Sequence, residues 1–272
     1  MLKRRLLLVL ALLGAMASPV GAQTPTPAPA AIDGPRMVVY GSDVDAGTRV
    51  GRPPAPPAGA FQAAAATSSF SVTYTGFTPA AQNAFQAAVD VWAGLVISPV
   101  PITIDARFQS LPAGQLGFAG PLLRAGFAGA PRADTYYPVS IANAISGRDL
   151  DPGVADITAD FSSSVANWYF GTDGRTGPGQ FDFMTVVMHE IGHGLGMVKT
   201  FDVSGGQGSW SAGDPAGPFI YDRFVVDQNG TQLINMSVYP NPSTALGNAL
   251  QGNAVFFDGP KSRAANGGNR PK

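Results

Sequence analysis

The chain has 272 residues, of which 45% are hydrophobic and 13% are charged, so it can form one large domain or two small ones and is not coiled-coil-like. It contains no cysteine, which excludes a disulfide framework and a lipid-anchored N-terminal cysteine. No basic cluster suggests a nucleic-acid partner, and no later apolar run approaches the roughly 20 residues of a membrane span.

Residues 1–22 predict a secretory signal peptide. A basic start, "LKRR", precedes an apolar run that ends in the small residues Val20-Gly21-Ala22. This segment holds three basic residues and no acidic ones, so its removal would leave 14 basic against 18 acidic residues and a net charge of −4. We therefore expect an exported bacterial protein, secreted or periplasmic, with no stable membrane span after signal cleavage.

The remaining chain divides into three parts by composition. Residues 23–67 are rich in Pro and Ala and predict a linker, interrupted by the short apolar piece "MVVY". Globular patterning begins at residue 68, and we expect a domain over residues 68–258. The last residues, 259–272, are rich in Gly and Asn and predict a flexible tail.

Several elements can be placed within that domain. The segments "FSVTYTGF" (70–77), "PITIDARF" (101–108) and "ADITADFSS" (155–163) predict strands. Between the first two, Thr78 and Pro79 predict the start of a helix. Its apolar face would hold Phe85, Ala88, Val89, Trp92 and Leu95. Residues 110–150 are rich in Gly, Ala and Pro and predict loops, and Asn229-Gly230 predicts a hairpin turn.

The stretch "FDFMTVVMHEIGHGLGM" carries the chemistry. It predicts a helix from Phe183 to about Gly194, capped by Asp182, and contains the pattern His-Glu-x-x-His. His189 and His193 are one turn apart on one helix face, so both imidazoles can bind one zinc ion. Glu190 can then take a proton from a water that the metal activates as this water attacks a carbonyl.

A chance match is the alternative to a metal site, and three observations argue against it. The surrounding run is apolar on nearly all sides, which predicts a buried helix whose histidines need partners. These are the only two histidines in the chain, and Glu190 is its only glutamate. Gly192, Gly194 and Gly196 further predict close packing and a left-handed exit from the helix, although a chain rich in small residues also uses glycine freely.

A catalytic zinc normally has three protein ligands. No glutamate follows Glu190, so a glutamate on a later helix cannot serve within this chain. The position three residues after Gly196 is Lys199, whose ammonium has no lone pair for a metal.

The motif "HEIGHGLGM" and the apolar run before it resemble the metzincin clan of zincin metallopeptidases, most closely leishmanolysin-like enzymes and their secreted bacterial relatives. Residues 68–258 share this look, including "NWYFGTDG" and "YDRFVVD". The resemblance implies an α+β zincin-like fold with a mixed twisted sheet, a backing helix and an active-site helix. It also implies that His189 and His193 are zinc ligands, that Glu190 is the catalytic base, and that the substrate is a protein or peptide.

Two features depart from that family. No histidine follows Gly196, where the family has its third ligand, and Met236 in "LINMSVY" does not match the family's methionine turn. The third position has three interpretations: a truncated chain that lacks the last ligand-bearing segment, an aspartate ligand (Asp202, Asp214 or Asp222), or a site that binds metal weakly.

Three functions therefore stay open at this point, the weakest being a metal-dependent hydrolase of another bond, such as an ester or amide of a small molecule. The first is a secreted zinc-dependent endopeptidase, with "ADITADFSS" as the edge strand that holds an extended peptide. The second is a degenerate or truncated zincin-like domain that acts as a non-catalytic secreted binding module.

Overall fold

The computed structural model describes residues 30–40, 68–211 and 217–272. The predicted signal peptide and Asp214 lie outside these ranges. The thirteen strands of the described part are β1 (Ile32–Asp33), β2 (Met37–Tyr40), β3 (Phe70–Thr75), β4 (Ile102–Gln109), β5 (Gln115–Arg124), β6 (Tyr137–Pro138), β7 (Ile157–Ser162), β8 (Trp168–Tyr169), β9 (Phe181–Asp182), β10 (Asp202–Ser204), β11 (Gln207–Ser209), β12 (Val225–Val226) and β13 (Phe256–Phe257). Its α-helices are α1 (Pro79–Ala93), α2 (Val139–Ser146), α3 (Phe183–Gly194), α4 (Thr244–Gln251) and α5 (Pro260–Ala265).

The architecture is α+β around one mixed sheet. Strands β3, β4 and β7 run parallel to one another, and β5 pairs with β7 in the antiparallel direction. The outer side of β5 pairs with β1 and β2, whereas β6 pairs with the end of β5 on the same side as β7. Strand β7, which contains most of "ADITADFSS", therefore has a neighbour on each side, and the prediction that this segment is a substrate-binding edge is wrong.

Helices α1 and α3 pack into the main core with the apolar face of this sheet. The α1 side chains Phe85, Ala88 and Val89 are buried as predicted, and the Thr78 hydroxyl accepts a hydrogen bond from the Ala81 amide as the N-cap. Leu95 lies beyond the end of α1 and is 64% exposed, so the predicted apolar face was one turn too long. In the described ranges, no helix combines the length and apolar character needed to cross a membrane.

The prediction that residues 110–150 form loops is wrong, because this region contains β5, β6 and α2. The loop prediction rested on the glycines of this region, which are typical of turns. A side chain at Gly117 would lie 2.9 Å from the Phe161 ring, and one at Gly120 would lie 2.7 Å from the Pro35 carbonyl oxygen. Both glycines therefore allow neighbouring chains to approach the strand closely.

The domain boundaries also need correction at both ends. Residues 30–40, assigned to the linker, form β1 and β2 on the main sheet, because the apolar residues of "MVVY" have a core to join. Residues 259–272, expected to form a flexible tail, contain α5. This end is tied down by ion pairs from Arg263 and Arg270 to Asp258.

Residues 201–257, which follow α3 in the chain, build a second, smaller core. Its buried members are Phe201, Val225, Leu233, Ile234 and Leu246. The Asn229-Gly230 turn forms, since the Gly230 amide donates to the Asp227 carbonyl at 3.0 Å. The strand before this turn, β12, pairs mainly with β13 rather than with the residues that follow the turn.

Candidate metal centre

The His-Glu-x-x-His residues lie on α3 as predicted. Asp182 caps the helix, because its carboxylate accepts a hydrogen bond from the Thr185 amide at 3.0 Å. The Nε2 atoms of His189 and His193 are 2.9 Å apart, with the two rings nearly perpendicular. Two imidazole nitrogens thus point to one position beside the helix. His189 is exposed to solvent, so this position is accessible from outside.

The glycines after the motif shape the end of α3. Gly196 has φ +111°, which favours glycine, and its amide donates to the His193 carbonyl at 2.9 Å. The Met197 amide donates to the Gly192 carbonyl at 3.0 Å. This pair of bonds is the Schellman arrangement, so the predicted left-handed exit is confirmed.

That turn controls the tautomer of His193. It brings the Met197 carbonyl oxygen to 2.8 Å from Nδ1 of His193. A carbonyl can only accept, so Nδ1 carries the proton and the neutral ring presents a lone pair at Nε2. A backbone carbonyl that orients a histidine in this way is a common feature behind metal ligands.

Gly194 sets the distance between α3 and the sheet. A side chain there would lie 2.4 Å from a methyl carbon of Ile157 on β7. At Gly192 the nearest atom would be the flexible end of Met197, at 3.0 Å. We expect Gly194→Ala to lower the free energy of unfolding by about 1–3 kcal/mol. Gly192→Ala, two residues away, is the control and should be neutral or stabilising, because alanine favours helix by up to about 1 kcal/mol. Chemical denaturation measures both, and equal effects would contradict the proposed close contact.

Glu190 is fully buried on the side of α3 that faces β5. Among the described residues, neither of its carboxylate oxygens has a hydrogen-bond partner of good geometry. Burial raises the pKa of this carboxyl to about 8, and the nearby backbone amide of Ala119 on β5 lowers it only in part. A buried carboxyl without a partner is costly, so its presence points to a function rather than to stability.

The two histidines differ in their surroundings. Partial desolvation, and secondarily the charge of His193, lower the pKa of His189. The lowered pKa favours the neutral ring, which is the form that binds metals. Helix α1 supports the same turn of α3, because the indole N–H of Trp92 donates to the Met188 carbonyl at 3.1 Å.

The structure does not bring a third ligand to these histidines within the part of the chain that it describes. No group of three His, Cys, Asp or Glu residues there could hold a metal ion. Asp202 is exposed on β10, and the Lys199 ammonium donates to the Phe201 carbonyl. Asp222 is fully buried, and both of its oxygens accept hydrogen bonds from Thr200 and Phe219.

His189 and His193 could supply two of the three protein ligands that a catalytic zinc needs. Zn–N distances of about 2.0–2.1 Å and a tetrahedral angle require two nitrogens roughly 3.3 Å apart, which is close to the observed 2.9 Å. A cation at this point would also favour the charged form of a nearby carboxylate such as Glu190. The two histidines thus have a spacing that fits zinc, and the structure brings no third ligand close to them among the described residues.

Three comparisons with known proteins bear on the chain. The sequence profile of one protein family, described as SPBPB7E8-like, matches residues 136–240. This similarity covers less than half of the chain and includes α2, β7, all of α3 and Asp222. No curated protein matches, and no solved structure matches.

Proposed function

We propose that this protein is a secreted zinc-dependent endopeptidase of the metzincin type. The observation that carries the proposal is the convergence of two histidine nitrogens on a helix that also carries a buried Glu190 without hydrogen-bond partners. The apolar helix, the Schellman turn and the Met197 carbonyl support these groups. Export is part of the proposal because of the signal-like residues 1–22.

His189 and His193 would hold the metal, and Glu190 would act on a water molecule. Bound zinc supplies a Lewis acid that lowers the pKa of a ligand water to near 7. Glu190 would accept the proton of the attacking water and then deliver a proton to the leaving amine. Burial raises the pKa of this carboxyl, and the charge of a bound cation would lower it again and favour the carboxylate that accepts the proton.

The peptide-binding strand would be β5 rather than β7. Strand β5 lies against α3, and its Ala119 amide lies near Glu190. Its inner side pairs with β7, so an extended peptide could add only along its outer side.

A second candidate function is a non-catalytic secreted binding module. The observation that favours it is that the described residues offer the metal two histidines and no third ligand. The observation against it is the buried Glu190, because a purely structural metal site has no use for a base.

Zinc content and peptide hydrolysis of the purified full chain test the proposal. We expect about one zinc per chain after reconstitution and hydrolysis that a chelator abolishes. His193→Ala should weaken zinc binding by at least about 100-fold, since loss of a supporting group alone costs 10–100-fold. Lys199→Ala is the control and should retain zinc, because this exposed ammonium has no lone pair for a metal and donates to a backbone carbonyl. Zinc well below one per chain together with chelator-insensitive or absent hydrolysis would favour the binding module.

A further inference from the structure

The outer edge of β5 is covered by the chain's own N-terminal residues. Met37 and Val38 pair with Ala119 and Phe118, and Ile32 pairs with Leu123 farther along the same strand. The pairing is antiparallel and falls into two ladders: β2 pairs along Gln115–Ala119 and β1 pairs with Leu122 and Leu123, with a break between them. Residues 32–40 therefore lie where an extended peptide would add to this sheet.

This edge lies next to the candidate metal centre. Met37 pairs with Ala119, the β5 residue whose backbone amide lies near the Glu190 carboxylate. Met37 also packs against the cluster of Leu123, Val198 and Phe219, and Val198 follows the Schellman turn of α3. Strand β2 itself contacts α3. The covering segment thus lies beside the helix that carries the proposed active site.

The segment is attached by a small number of side chains. Val39 is 7% exposed and enters the main core, whereas its neighbours Val38 and Tyr40 are 36% and 41% exposed. At the other end, the Gly34 amide donates to the Pro121 carbonyl at 2.8 Å. A side chain at Gly34 would lie 2.6 Å from that carbonyl oxygen, so glycine is needed for the contact.

The segment of residues 32–40 differs from the other strands because sequences typical of linkers flank it on both sides. Residues 23–31 and 52–60 are rich in Pro and Ala, a composition typical of linkers. The apolar piece "MVVY" is thus placed between two linker-like runs, and 29 residues separate Tyr40 from the next strand at Phe70.

We propose that residues 32–40 are an autoinhibitory strand that closes the peptide-binding edge of β5. They imitate a bound peptide, and this strand must leave before another extended peptide can pair with β5. The proposal rests on the proposed peptidase function, because only then does the edge have a substrate. The alternative is that β1 and β2 are permanent strands of the sheet.

Two variants of the full chain should release the strand by different means. Val39→Asp places a charge in the core, and Gly34→Val forces the segment away from Pro121 without adding a charge. Val38→Asp is the matched control, because the same charge one residue earlier lies on the more exposed face. Hydrogen exchange at the amides of residues 37–40 reports release, and circular dichroism reports whether each variant is folded.

Binding of a synthetic, fluorescein-labelled peptide with the sequence of residues 30–40 then measures access to β5. The measurement is made with a chelator, so that the probe is not cleaved. If the segment covers the edge at least about 90% of the time, its release should raise the apparent affinity about tenfold or more. We expect this gain for Val39→Asp and Gly34→Val but not for Val38→Asp. Zinc-loaded forms of the two released variants should hydrolyse peptides faster by a similar factor.

Two results would overturn the proposal. One is continued protection of residues 37–40 in both folded variants, which would make β1 and β2 permanent strands. The other is release without any gain in binding of the probe. If released variants bind the probe and no zinc-loaded form hydrolyses peptides, the peptidase function fails while the closing of the β5 edge is supported.

Discussion

Glu190→Gln is expected to lower the rate of peptide hydrolysis by about 10²–10⁴-fold while the zinc content stays at one per chain. Glutamine has nearly the same shape as glutamate but cannot accept a proton from the attacking water. The substitution leaves both histidines and the Met197 carbonyl behind His193 unchanged, so the proposed metal ligands are retained. Turnover of a fluorogenic peptide library and metal analysis of the same samples give the two numbers.

Zinc content and activity are measured together because Glu190 could act either as the base or as a structural support of the metal site. Glu190 is fully buried with no good hydrogen-bond partner, so the neutral amide should fold at least as well as wild type in the absence of metal. Loss of zinc together with activity in Glu190→Gln would indicate that this residue supports the metal site structurally. Full activity in this variant would exclude it as the base.

The geometry of the motif helix could be predicted from the sequence because its signals are local. The spacing of His189 and His193, the cap at Asp182 and the glycine exit at Gly196 each depend on a few adjacent residues. The Met197 carbonyl that fixes the tautomer of His193 has no side-chain signal of its own. Only the geometry of the turn brings it to the ring.

The order of the sheet could not be predicted, because strand neighbours are chosen by contacts distant in sequence. Strand β5 was hidden by Gly117, Gly120 and Pro121, which are typical turn residues when they occur without a partner. They allow Phe161 and the backbone at Pro35 to approach closely. Because β5 was predicted to be a loop, the interior strand β7 was predicted to be an edge strand. For the same reason "MVVY" was assigned to the linker, since no strand was expected to pair with it.

The third metal position shows the limit of the sequence most clearly. Asp202, Asp214 and Asp222 are equivalent candidates by residue type, since each has a carboxylate downstream of the motif. Burial distinguishes two of them. Asp202 is exposed, whereas Asp222 is enclosed with its oxygens already bonded, and Asp214 lies outside the described residues.

Asp222→Asn is expected to lower the free energy of unfolding by about 3 kcal/mol, which corresponds to a fall in Tm of roughly 6–12 °C. The Asp222 carboxylate accepts from the Thr200 amide at 3.0 Å, from the Thr200 hydroxyl at 2.8 Å and from the Phe219 amide at 2.8 Å. An asparagine has one acceptor oxygen, so its NH₂ group would face at least one of these buried donors. The carboxylate therefore joins the segment after α3 to the start of the second core.

Asp202→Asn is the matched control, because the same change at an exposed position should alter stability by less than about 0.5 kcal/mol. Thermal denaturation of both variants gives the stability, and metal analysis well below each Tm gives the zinc content. We expect Asp222→Asn to retain zinc, since its oxygens are occupied by backbone and hydroxyl donors. Loss of zinc with unchanged Tm in Asp222→Asn would instead assign it as the third ligand. The same result in Asp202→Asn would assign Asp202, and retention of zinc in both would place the ligand elsewhere, with Asp214 as the next residue to change.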